Sequence, residues 1–251
     1  MYVTPTELRV LRRGSLLLRF AVLDSIAAVL AELPAKGSLD TTLEQPCTEP
    51  HWGVLLRGDL EVEQGGQRRQ IRAGAGFHVP GGEPGHRFFA TRRAVIAGFV
   101  PLEGRAAEDA LPAGGASAAV AAAPSEEAEP ARVVAKPLAP GEIRCQPIPM
   151  GPWVFAHATF GPTSGYGTDY CDAPHWGVVI TGSVAIEFED DVEVLSAGDF
   201  YYTAHGPPGH RFEVADGAII ADFTPRAALE GSVRLVEWRE VLRSASPVRN
   251  G

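Results

Sequence analysis

The sequence predicts an all-β protein that carries one fold twice, and three observations lead there. Residues Cys47 to Phe88 can be laid over Cys171 to Phe212 at a constant offset of 124 without a gap, and 16 of these 42 positions are identical. Self-similarity at a fixed offset is the mark of repeated structural units. Glycine (28) and proline (21) together make up 49 of the 251 residues, a supply of turns that suits short strands better than helices. Apolar residues also come in short runs, continuous or alternating, that stop at turn residues.

The elements follow in order within each copy. Trp52–Leu56 and Trp176–Ile180 are continuous apolar runs ending near Gly58 and Gly182, as expected of a buried strand before a turn. Val184–Phe188 alternates, Glu189–Asp191 reads as a turn, and Val192–Leu195 alternates again. That pattern predicts a hairpin, and Gly65-Gly66 occupies the matching turn in the first copy. Arg93–Phe99 and Gly217–Phe223 read as returning strands. Ser25–Leu33 is helical by propensity, but its counterpart Trp153–Phe160 is β-rich and follows Gly151-Pro152. Two copies should share a topology, so both are expected to be strands. One helix is expected, around Val236–Leu242.

No aromatic residue occurs from Val100 to Pro152, and the stretch from Ala113 is low in complexity. Too little bulky apolar surface is present there to offset ordering entropy. The expected division is a first domain over 1–102, an Ala/Pro/Glu-rich flexible linker over 103–133, and a second domain over 134–251 that includes the helix.

The net charge of −9 argues against nucleic acid or an anionic membrane as a partner, since phosphate binding needs a basic face. Apolar runs such as Ile26–Ala31 are too short to span a bilayer. Arg12-Arg13 before Ser15–Leu18 resembles an export signal only faintly, because Arg19 and Asp24 interrupt it. A cytoplasmic location is expected. Three cysteines, Cys47, Cys145 and Cys171, are too few for a disulfide scaffold and favour free thiols or metal ligands.

Each copy places a Cys four residues before a His, with a Pro between, and a second His 35 residues later: Cys47, His51, His86 and Cys171, His175, His210. In a straight strand, residues four apart share a face but lie about 13 Å apart. Thr48-Glu49-Pro50 and Asp172-Ala173-Pro174 read instead as tight turns that bring Cys and His together across neighbouring strands. A thiolate with two imidazoles is a ligand mixture that zinc accepts, with a fourth position left over. The contrasting reading is that these are turn-forming and core residues kept by both copies.

Short antiparallel strands, a His-bearing turn and a Gly-x5-Pro-x-Gly loop before a His together resemble the cupins, here as a two-domain bicupin. Gly74, Pro80 and Gly82 match the second cupin motif, with His86 one residue late. In the second copy Gly198 and Gly206 match, Ala204 replaces the Pro, and His210 is displaced likewise. Counting back from Gly58 and Gly182 places His51 and His175 where the first cupin motif has Glu. Cys47 and Cys171 then fall in the second His position, and Gln45 and Asp169 in the first. The resemblance thus implies two tandem jelly-roll β-barrels with a divalent metal at each mouth, held by Gln45, Cys47, His51 and His86 and by Asp169, Cys171, His175 and His210. A thiolate beside iron and oxygen is liable to oxidation, so zinc is favoured over iron or manganese. Asp169 would make the second site the tighter one.

The expected partner is a small molecule in the barrel mouth, and a homodimer stays open. If the protein is an enzyme, Lewis-acid chemistry of the lyase, isomerase or hydrolase kind is expected. His205, Tyr201 and Tyr202 are the nominated acid–base residues. The rivals are a non-catalytic sensing or structural module and, on family analogy, an iron-dependent dioxygenase. Arg87 and Arg211 are expected in surface ion pairs, Trp52 and Trp176 in the barrel wall, and Cys145 in a structural place. His78, which pairs with Tyr202 between the copies, has a doubtful site role.

Overall fold

A computed structural model describes residues 2–3, 8–13, 16–35, 46–104, 106, 126–127, 138–165, 170–206 and 209–231. The chain divides into two compact units, Val3–Val133 and Val134–Gly251, the latter together with Met1–Tyr2. The two-residue strand β1 (Tyr2–Val3) is the first element of the chain among the described residues.

The first unit contains β2 (Arg9–Arg13), β3 (Leu16–Leu23), β4 (Ile26–Leu33), β5 (His51–Arg57), β6 (Asp59–Gln64), β7 (Gln67–Arg72), β8 (Gly76–Val79), β9 (His86–Ala90), β10 (Ala94–Pro101) and β11 (Glu126–Glu127). Seven of them form a sheet in the order β11-β8-β5-β10-β4-β3-β2, and the other three form a sheet β7-β6-β9. One apolar cluster joins the two sheets: Leu18, Val29, Leu55, Phe77 and Ile96 from the larger, Leu60, Ile71 and Phe88 from the smaller. This is the two-layer jelly-roll arrangement, in which two curled sheets share a core.

The second unit contains β12 (Ile143–Met150), β13 (Trp153–Phe160), β14 (Ser164–Gly165), β15 (His175–Phe188), β16 (Val192–Ser196), β17 (Phe200–Thr203), β18 (His210–Val214), β19 (Ala218–Pro225) and helix α1 (Arg226–Gly231). Here β15 runs unbroken through 14 residues. Its first half pairs β17 and β19, and its second half pairs β16 and β18. One strand therefore does the work of β5 and β6 together.

The alanine-rich segment after Ser25 is a strand, β4, as expected. It is paired along its whole length with β3 on one side and β10 on the other, and that two-sided pairing overrides its helical propensity. The hairpin turn at Gly65-Gly66 has φ of 59° and 76°, the two positive values that a two-residue turn matching strand twist requires. The expected helix at Val236–Leu242 lies outside the described residues; the helix observed among them, α1, comes earlier. Within the expected linker, β11 pairs His78 and Phe77 at the sheet edge, so that stretch is not wholly irregular. Cys145 packs against the second core, in the structural place expected of it. No helix among the described residues is long and apolar enough to cross a membrane.

Candidate metal centres

The turns expected between Cys and His are formed, and the reason is a backbone bridge. Cys47 N–H donates to His86 O at 2.9 Å and His86 N–H to Cys47 O at 2.7 Å; Cys171 and His210 exchange the same pair at 2.6 and 2.9 Å. Residues that exchange both bonds project their side chains on one face of the ladder. Thr48–Pro50 and Asp172–Pro174 then reverse the chain, so that His51 and His175 open β5 and β15 beside those bridges. The turns are braced by Gly82 N–H to Thr48 O at 2.8 Å and Gly206 N–H to Asp172 O at 2.9 Å.

The side chains converge in both units. Cys47 Sγ lies 3.2 Å from His51 Nε2, and Cys171 Sγ lies 3.3 Å from His175 Nε2. The paired imidazoles, His51 with His86 and His175 with His210, stand edge to face with ring centroids 5.0 Å apart in each case. One donor atom from each member of a triad lies within 4.8 Å of the others. His86 and His210 are 1% and 0% exposed, and neither nitrogen of either ring has a hydrogen-bond partner among the described residues. A buried polar ring left unpaired costs free energy unless something fills its valence, and a cation among these atoms would do so. The residues therefore fit a metal.

Burial pushes His51 down to about 4, His86 well below its usual value, and His210 down to about 2. These rings are neutral at pH 7, which leaves their lone pairs free for a cation. His175 behaves otherwise. Burial again opposes its charge, but the Asp222 carboxylate and then Cys171 overcome this and carry it up to about 10. Asp222 Oδ2 lies 2.9 Å and Thr224 Oγ1 2.7 Å from His175 Nδ1. Neither residue was picked out from the sequence. The signal was there: laid over one another, the returning strands place Asp222 against Gly98 and Thr224 against Val100, two polar residues inside an apolar run.

In the first unit, Cys47, His51 and His86 line a cavity of about 60 Å³ together with Leu18, Val29, Phe77, Phe88, Ile96 and Gly98. Gly98 leaves space there; a Cβ added to it would meet its nearest atom only at 3.7 Å.

Gln45 and Asp169, the remaining members of the expected ligand sets, lie outside the described residues. Tyr202 is not placed for acid–base work. It pairs Trp176 across the ladder and stacks on that indole at 4.8 Å, on the face opposite His175, because successive strand residues alternate sides. Tyr201 is fully buried in the core. His205 is exposed, on the loop next to Gly206. Trp52 and Trp176 are buried wall residues, and Arg211 pairs with Glu187 at 2.7 Å, as expected of a flanking charge.

His78 sits on the Trp52 face, away from the triad, and burial holds its pKa down at about 4 from the usual 6.5. Between those values the unfolded chain takes up a proton that the folded one refuses. Its stability contribution is intact above about pH 6.5 and is lost as pH falls toward 4. At pH 5 that loss comes to about 2 kcal/mol. His78→Tyr, which installs the residue of the second copy, is expected to reduce acid sensitivity by that amount, read as unfolding free energy at pH 7.5 and pH 5. An unchanged pH dependence would count against it.

Neither a family model nor a curated protein matches the sequence. Solved structures do match in shape. AerE from Microcystis aeruginosa is 11% identical with a TM-score of 0.61, covering 87% of this chain and 96% of its own. A cupin 2 conserved barrel domain protein from Leptotrichia buccalis is 9% identical with a TM-score of 0.56, covering 90% and 96%. A variant of oxalate decarboxylase from Bacillus subtilis is 14% identical with a TM-score of 0.64, covering 90% and 77%. The fold is that of the cupins. Each of the two units holds a Cys-His-His triad.

Proposed function

We propose that this bicupin binds a divalent metal, zinc by preference, in each barrel and takes a small organic molecule at the first. The observation that carries the reading is the paired triads, each with a buried histidine whose ring nitrogens are unsatisfied. Three protein donors of one thiolate and two imidazoles suit zinc and leave a position open. One of the structural neighbours, oxalate decarboxylase, has Mn(II) centres, but manganese prefers oxygen donors and the thiolate here argues for a softer ion. Oxalate itself is not proposed as the ligand, because no Arg or Lys lines the cavity to balance a dianion.

When bound, zinc supplies Lewis acidity toward a carbonyl or water. The chain's own residues do the rest. His51 and His86 offer neutral nitrogens, Cys47 offers a thiolate, and the apolar wall of Val29, Phe77, Phe88 and Ile96 excludes water and selects a compact molecule. A lyase, isomerase or hydrolase reaction is the catalytic form of this reading. The purely structural alternative is disfavoured at the first centre, where a cavity adjoins three donors.

Elemental analysis of the purified full chain tests it. Two zinc ions per chain are expected, falling to one in Cys171→Ala and in His210→Ala. Stoichiometric metal retained in both variants would overturn the second assignment, and iron accompanied by oxygen consumption would favour dioxygenase chemistry instead.

A further inference from the structure

The two barrels present the same triad but surround it differently, and one such difference lies on the returning strands β10 and β19. Gly98 pairs Gly53 on one side and Val29 on the other. Asp222 pairs Gly177 and Ala156. These are the same ladder position in the two barrels, one residue from the same aromatic (Phe99, Phe223). Two residues on, Val100 stands where Thr224 stands. Both Gly98 and Val100 line the cavity beside His51, while Asp222 and Thr224 place oxygen atoms on His175 Nδ1.

We infer that this one position divides labour between the centres: Asp222 makes the second a tight metal-holding site, and Gly98 leaves the first open to a compact neutral molecule. The inference rests on the metal-centre reading and deepens it.

A carboxylate can only accept, so Asp222 holds one proton of His175 on Nδ1, and a metal that displaces the ring's other proton would take the Nε2 lone pair facing Cys171. Outer carboxylates of this kind orient a ligating imidazole and make it a better donor. The other oxygen, Oδ1, is buried and has no hydrogen-bond partner among the described residues. A buried carboxylate with an unsatisfied oxygen is costly unless positive charge lies nearby, which the His175 ring in its charged form, or a cation bound to that ring in place of the proton, provides. In the first barrel no described residue hydrogen-bonds His51 Nδ1, and the space is enclosed by apolar groups. A volume of about 60 Å³ admits a ligand of on the order of five non-hydrogen atoms. With no Arg, Lys, Asp or Glu lining it, the ligand is an uncharged, mostly apolar molecule with one polar atom for the metal or for Nδ1.

Cobalt(II) titration of the full chain reads each centre by its thiolate charge-transfer band, with His210→Ala isolating the first centre and His86→Ala the second. The second centre is expected to bind more tightly. Asp222→Asn should weaken it about 10–100-fold, the usual effect of removing such a carboxylate. Gly98→Asp, which builds into open space, should tighten the first. Pyrazole, a neutral five-atom probe, should shift the cobalt spectrum of the first centre and not the second, and Gly98→Asp should abolish that shift. Two bound ions with equal affinities, unmoved by Asp222→Asn and by Gly98→Asp, would overturn this inference while leaving the metal reading intact. No cobalt band in the wild-type chain would overturn both.

Discussion

Stripping the full chain of both metals with a chelator is expected to lower its thermal unfolding midpoint by about 15–30 °C, and adding zinc back should restore it. Folded barrels present assembled triads, whereas the unfolded chain scatters the same residues over 40 positions. On the proposed reading metal would therefore bind the native state far better, and at free zinc a thousandfold above the dissociation constant each site would contribute about 4 kcal/mol. For a protein of this size 1 kcal/mol moves the midpoint by about 2–4 °C. The apo form also leaves the rings of His86 and His210 buried without partners, an unsatisfied burden of about 1–3 kcal/mol for each group. Scanning calorimetry with and without chelator reads the difference. The double variant His86→Ala/His210→Ala should show no response to zinc. A wild-type midpoint indifferent to chelator would remove the basis for metal as a stabilising component.

Phe88→Ala is expected to destabilise the first barrel by about 3–5 kcal/mol, the range for truncating a buried aromatic, and to empty its metal centre. Phe88 is 4% exposed and belongs to the core cluster joining both sheets. Its ring stands edge-on to His86 at 5.3 Å and to His51 at 6.2 Å, and tilts against Phe77 at 5.5 Å. The same side chain thus closes the core and buttresses two ligand rings, so one truncation should be seen in both denaturant unfolding and metal stoichiometry. Phe88→Leu keeps most of the volume and should cost less, with the metal retained. Phe212 stands in the corresponding place against His175 and His210, so second-barrel metal content in Phe88→Ala is the internal control. Loss of metal from both barrels in Phe88→Ala would contradict the local account.

Much of this was legible before any coordinates. The 124-residue offset, the glycine and proline content and the short apolar runs were enough for an all-β chain carrying one fold twice, because alternation and turn chemistry are local properties; that the fold is a barrel was implied by the resemblance to the cupins. The triad residues were legible for a related reason: cysteine and histidine at matched spacings in two copies narrow the reading more than either copy alone. The turn between Cys and His was also written locally, in Pro50 and Pro174.

Other features depended on contacts between distant strands. Tyr202 and His175 lie 27 residues apart, and only the register of β15 against β17 shows that they occupy opposite faces. The importance of Asp222 arises from its meeting His175 across 47 residues of sequence, an encounter set by the β15–β19 ladder. The cavity at Gly98 is likewise a property of several strands at once. The sequence by itself determined strands, turns, repeat and the candidate ligand types, since these follow from neighbours along the chain. Only the tertiary structure decided which histidine gained a carboxylate and which gained an apolar cavity, because burial and electrostatic environment are made by residues that meet in space.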